Sequence, residues 1–107
     1  MSSTTITRGN VHESFFISPS LTPSAVTTYY GNQNFTIPGL LTTDTVIVVG
    51  YIGTQTAGIA YAEAEVTAAN TLQIQFINVS GSSATPASGS YVLNVIRFEG
   101  PLPVTAV

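Results

Sequence analysis

Hydrophobic and polar positions alternate most clearly over residues 71–79 (TLQIQFINV). Successive side chains of a strand point to opposite faces, so Leu72, Ile74 and Phe76 share one side and Gln73 and Gln75 the other. This pattern predicts a half-buried strand with Leu72, Ile74 and Phe76 turned inward. Residues 45–49 (TVIVV) are β-branched without a polar break after Thr45, which predicts a strand covered on both faces. Just upstream, residues 35–37 (FTI) stop at Pro38-Gly39, where proline fixes φ and glycine permits positive φ, the signature of a reversal. Residues 91–99 (YVLNVIRFE) are apolar on both sides apart from Asn94 and Arg97, and predict a central strand.

The remaining segments follow the same logic. Residues 11–18 (VHESFFIS) predict a first strand ended by Pro19 and Pro23. Residues 25–30 (AVTTYY) predict a second, Gly31-Asn32 a turn, and residues 33–37 a third. Three glycines within residues 50–58 predict a loop. Residues 59–67 (IAYAEAEVT) alternate, with Ile59, Tyr61, Glu63 and Glu65 on one face and Ala60, Ala62, Ala64 and Val66 on the other. Their alanine and glutamate content also allows a helix. Residues 68–70 predict a turn, and residues 80–90 (SGSSATPASGS) a flexible loop with no apolar anchor.

Strand signals every eight to twelve residues, almost no helix and short connections predict an all-β domain. The expected architecture is a single antiparallel β-sandwich of about seven strands, jelly-roll or Ig-like, over residues 11–100. Residues 1–10, polar and hydroxyl-rich, form an N-terminal arm in this scheme, and residues 101–107 an extended apolar C-terminal tail suited to strand addition.

Composition changes the picture by what it lacks. Only 7% of the 107 residues are charged, against about a quarter in ordinary domains, and the net charge is −3. Copies of such a chain repel each other weakly, so assembly with itself or with a large partner is expected. The two basic residues, Arg8 and Arg97, cannot neutralise a run of phosphates, which argues against nucleic acid and anionic membrane as partners. Cysteine is absent, so disulfides, zinc–thiolate sites and thiol nucleophiles are excluded. The opening MSSTTITR has no basic stretch followed by an apolar core, and synthesis in a cytosol is expected.

Candidate chemistry is thin. His12, the single histidine, neighbours Glu13, but adjacent strand residues face opposite ways and do not make a local acid–base pair. A Ser-His-Asp set drawn from Asp44 has no Gly-x-Ser-x-Gly elbow behind it. Glu63 and Glu65, two apart on a strand, lie about 7 Å from each other by the strand rise; with Asp44 they are the candidate oxygen ligands for a cation. No catalytic residue, cofactor or metal is expected, and the chain does not read as an enzyme. The doublets Phe15-Phe16 and Tyr29-Tyr30 are more informative, because one ring of each should face out unless something covers it. Together with Leu102, Val104 and Val107 of the tail, Phe15, Phe16, Tyr29 and Tyr30 make up the expected interface.

With residues 35–49 (FTIPGLLTTDTVIVV) and 65–79 (EVTAANTLQIQFINV), then Thr85-Pro86 and the strand from Tyr91 to Arg97, the chain resembles small β-rich structural proteins of tailed bacteriophages. The shared pattern reads F-T-V-P-G-L-x-x-x-D-x-V, then V-x-A-A-N-T-L-x-I-x-F-x-N-V, a Thr-Pro loop and Y-x-x-x-V-x-R, and covers residues 34–98. The resemblance implies a non-catalytic virion protein, made in the host cytoplasm and bound to the capsid exterior. There it would decorate the shell and clamp capsomers through the major capsid protein. A homotrimer at threefold positions is the expected assembly. A tail, head-fibre or baseplate component shares the same features, although heptads and collagen-like repeats are missing here. A carbohydrate- or receptor-binding module, presenting Tyr29, Tyr30 or Tyr51 together, is the alternative from another class.

Overall fold

A computed structural model describes residues 10–27 and 29–105. Over these residues the protein is all-β, with β1 (Val11–Ile17), β2 (Ser20–Leu21), β3 (Tyr29–Thr36), β4 (Thr45–Tyr51), β5 (Ile59–Ala68), β6 (Thr71–Asn78) and β7 (Gly89–Phe98). Every pairing is antiparallel, in the order β1-β7-β4-β5-β6-β3, with β2 also against β7. No described residue is helical. β5 thus follows its alternation and its pairing with β6, not the helix propensity of its alanines.

The rings of Tyr91 on β7 and Phe76 on β6 lie 6.3 Å apart, although the two strands are three places apart in the sheet. A flat sheet would separate them by about 14 Å. The sheet therefore folds over on itself, bringing β1-β7-β4 against β5-β6-β3. The fold line runs between β4 and β5, whose ladder consists of one pair, Thr45 with Glu65.

Register sets the core. Phe15, Val95 and Val46 form one inward row across β1, β7 and β4, and Ile17, Leu93 and Val48 the next. The facing half contributes Leu72, Ile74 and Phe76, all at 0% exposure as their alternation predicts, with Phe35 and Val66 beside them. Each large apolar side chain so enclosed contributes about 1.5–3 kcal/mol. Tyr91 sits at the centre, in ring contact with Tyr51, Tyr61 and Phe76. Burial pushes its hydroxyl pKa up, and the hydroxyl donates to the Ala87 carbonyl at 2.6 Å.

Four expectations need correction. β4 is covered on one face only, since Ile47 and Val49 are 50% and 57% exposed: a chain of this size builds one core, and among the described residues no third layer lies over β4. Gly31 and Asn32 do not turn but continue β3, pairing with Phe76 and Gln75, and a Cβ on Gly31 would make an ordinary van der Waals contact with Val26 Cγ1 at 3.4 Å. Of residues 25–30, Val26 makes an isolated bridge to Ala84, and Tyr29 and Tyr30 belong to β3. A bulge between Tyr61 and Ala64 breaks the alternation of β5, so Tyr61, Ala64 and Val66 turn inward while Glu63 and Glu65 stay exposed.

The segment 79–88 is also not the unanchored loop its composition predicts. Pro86 is fully buried, and Gln55 Oε1 accepts the Ala87 N–H at 2.6 Å. Tyr51 Oη donates to Ser88 O, and Thr56 Oγ1 to Thr85 O. At the other end, buried Asn78 donates to Val26 O and Ser82 O and accepts from the Ser80 backbone and hydroxyl. Side chains far away in sequence supply the anchors that the loop itself lacks.

Candidate interaction surface

The two outer faces of the folded sheet distribute their polar and apolar rows differently. On the β5-β6-β3 half, register aligns Glu65, Gln73 and Asn34 in one row and Gln75 with Asn32 in the next. These two rows are polar, with Gln73 Nε2 donating to Asn34 Oδ1 across them, while the row after them, Ala60, Ile77 and Tyr30, is apolar. On the β1-β7-β4 half, Phe16, Asn94 and Ile47 form one row and Ser14, Ile96 and Thr45 the next. Phe16 is 67% exposed, and Val49, at a bulge between Val48 and Gly50 on β4, is exposed two residues along from Ile47. Phe16, Ile47, Val49, Val92 and Ile96 thus make an apolar outer face with Asn94 at its middle.

Beneath this face lies the densest electrostatic feature of the protein. Arg97 Nε donates to Asp44 Oδ1 at 2.9 Å and its NH2 to Oδ2 at 2.8 Å, a two-point pair. The same guanidinium reaches Gly39 O and Glu13 and lies 5.5 Å from the centre of the Phe15 ring. Asp44 also accepts the Leu41 N–H, closing the turn before β4. The hydrogen bond from Arg97 holds the Asp44 carboxyl below its ordinary range, against the opposing effect of burial. These groups tie β1, β7 and the 37–44 turns together, and the Asp44 side chain, fully buried, accepts from Arg97 and Leu41 through both its oxygens.

The residues expected at an interface divide. Phe15 turns inward and Phe16 outward, as strand alternation demands. Tyr29 and Tyr30 are both exposed, because β3 is an edge strand and Tyr29, with φ of 83°, stands at its first position. Leu102 and Val104 are exposed, on a segment that adds no strand to the sheet, and Val107 lies outside the described residues. The structure does not gather these side chains into one patch. It instead brings Phe16 together with Ile47 and Val49, which the β-branched run of β4 concealed by reading as core.

Among the described residues, no group of three His, Cys, Asp or Glu side chains is placed to hold a metal. His12 is exposed on β1, and Glu13 is engaged with Arg97. Tyr51 is drawn inward, with its hydroxyl on Ser88, so it does not join Tyr29 and Tyr30 in an exposed aromatic platform. A groove of about 470 Å3 lies where β4 and β5 part, lined by Val46, Ile47, Val48, Tyr61 and residues 62–65. No protein-family model matches the chain, and neither does any curated protein or any solved structure.

Proposed function

We propose that this chain is a non-catalytic structural protein of a phage particle that docks on the capsid exterior and stabilises the shell. The observation that carries the reading is the apolar outer face of β1, β7 and β4, with Phe16 and Ile47 in register on either side of Asn94. An isolated domain gains nothing from such a face, whereas a domain held on a large surface buries it, and aromatic side chains are the usual anchors of such contacts. The low charge of the chain supports the same reading, because neighbouring copies repel one another weakly. The sequence resemblance supplies the setting, with the major capsid protein as partner and a homotrimer as the assembled form. Many weak contacts, one per copy, would add up to a shell that resists internal pressure.

Immunogold labelling of intact particles from a lysate containing the protein tests the location. Label spread over heads supports decoration, label confined to tails or fibres moves the protein there, and unlabelled particles overturn the virion reading. A Phe16→Glu variant, which changes a side chain that the fold leaves exposed, should keep its melting temperature and lose particle occupancy at least tenfold.

A further inference from the structure

The parting of β4 and β5 leaves two strand edges facing a common groove, and we propose that it accepts an extended segment, residues 5–8, from the N-terminal arm of a second copy of this chain. The ladder between the two strands stops at Thr45 and Glu65, and beyond that pair no β4 residue is in register with a β5 residue. Each strand keeps its other neighbour, β7 for β4 and β6 for β5, so the open edges point at each other across the groove. Unpaired strand edges are templates for an added strand.

Size fits a short insert. Strand spacing, layer spacing and rise per residue give one extended residue about 160 Å3. The groove of about 470 Å3 thus holds about three residues, the length of its β4 wall, Val46 to Val48. Thr5-Ile6-Thr7 is a β-branched triplet with an apolar centre, suited to lie beside Ile47 and Val48.

Charge selects the occupant. Glu63 and Glu65 line the groove and carry no ion pair among the described residues. The chain has two basic side chains, and Arg97 is committed to Asp44 and Glu13. Arg8, directly after the β-branched triplet, is the cation left to meet Glu63 and Glu65. Asn10, the first described residue, lies beside the end of β1 that pairs with Phe98, and β1 is separated from the groove by β7 and β4. This inference stands on the groove and the arm, and holds whatever particle or surface the protein occupies.

The chain contains no cysteine, which permits a direct test with single-cysteine variants of the full-length protein. Thr7→Cys and Ala62→Cys, carried on differently tagged copies, are mixed under mild oxidation and the mixed disulfide is followed over time. The expected result is cross-linking at least tenfold faster than between Thr7→Cys and a Ser83→Cys control on an exposed loop. Adding Arg8→Gln, or Glu63→Gln with Glu65→Gln, should slow it severalfold, as should raised salt. Equal rates for Ala62 and Ser83 would overturn the proposal. So would a Thr7→Cys/Ala62→Cys double variant that closes its disulfide within single chains in dilute solution while the mixed copies stay unlinked.

Discussion

Asp44 and Arg97 meet in a two-point pair, Oδ1 to Nε at 2.9 Å and Oδ2 to NH2 at 2.8 Å, that fastens the turn before β4 to the far end of β7. The carboxylate side chain is fully buried while the guanidinium remains partly exposed. Removing the carboxylate leaves the Leu41 N–H and two guanidinium donors without their acceptor. Asp44→Ala should therefore destabilise the protein by about 1–3 kcal/mol, read from the urea midpoint.

The same pair sets an acid limit. Arg97 holds the Asp44 carboxyl below its ordinary range in the folded protein, so the unfolded chain takes up the proton first as pH falls. The stabilisation is complete above the unfolded value of about 3.9 and is lost as pH drops through the lower folded value. Urea midpoints should fall below about pH 4, and Asp44→Asn should make that slope shallower. An unchanged slope would assign the acid sensitivity to other carboxylates.

Phe76 is fully buried and in edge contact with both Tyr61 and Tyr91. Phe76→Ala should cost about 3–5 kcal/mol, enough to bring a domain of this size near its unfolding threshold at ambient temperature. Calorimetry showing an unshifted melting temperature would contradict the packing of the two halves.

Gln55 holds the 79–88 segment from a distance. Its Nε2 donates to the hydroxyls of Tyr61 and Tyr91, and its Oε1 accepts from Thr56 and Ala87. Gln55→Ala should speed hydrogen exchange at the Ala87 amide by at least tenfold and lower global stability by about 1–3 kcal/mol. Exchange at Ala87 that stays slow would mean Pro86 and the Tyr91 hydroxyl suffice.

Two glycines separate backbone strain from crowding. Gly39 has φ of 96° with nothing within 4 Å of an added Cβ, whereas Gly58 has φ of 84° and a Cβ there would sit 2.8 Å from Ser80 Cβ. Gly39→Ala should cost about 1–2 kcal/mol, the penalty of a left-handed conformation alone. Gly58→Ala should cost more, because the 79–88 segment must also shift. Equal melting temperatures for the two variants would count against the tight approach at Ser80.

Local pattern was sufficient where one rule acted alone. The alternation of Leu72, Ile74 and Phe76 identified β6 and its inward face, Pro38-Gly39 identified a reversal, and the apolar run from Tyr91 identified the strand that sits between β1 and β4. Each of these depends on a period or a backbone restriction written in a few consecutive residues. The composition likewise determined that the exterior is built largely from uncharged residues. Tertiary structure decided what no short window contains. Whether Ile47 and Val49 face core or solvent depends on how many layers the whole chain can build, because the same β-branched run fits either environment. The bulge that turns Glu63 outward depends on the register of β5 against β6, and the anchoring of the segment around Pro86 on hydrogen bonds with Gln55, Thr56, Tyr51 and Tyr91. The anchors from Tyr51, Thr56 and Gln55 lie 29 to 37 positions from the residues they hold, so they act only once the chain has folded.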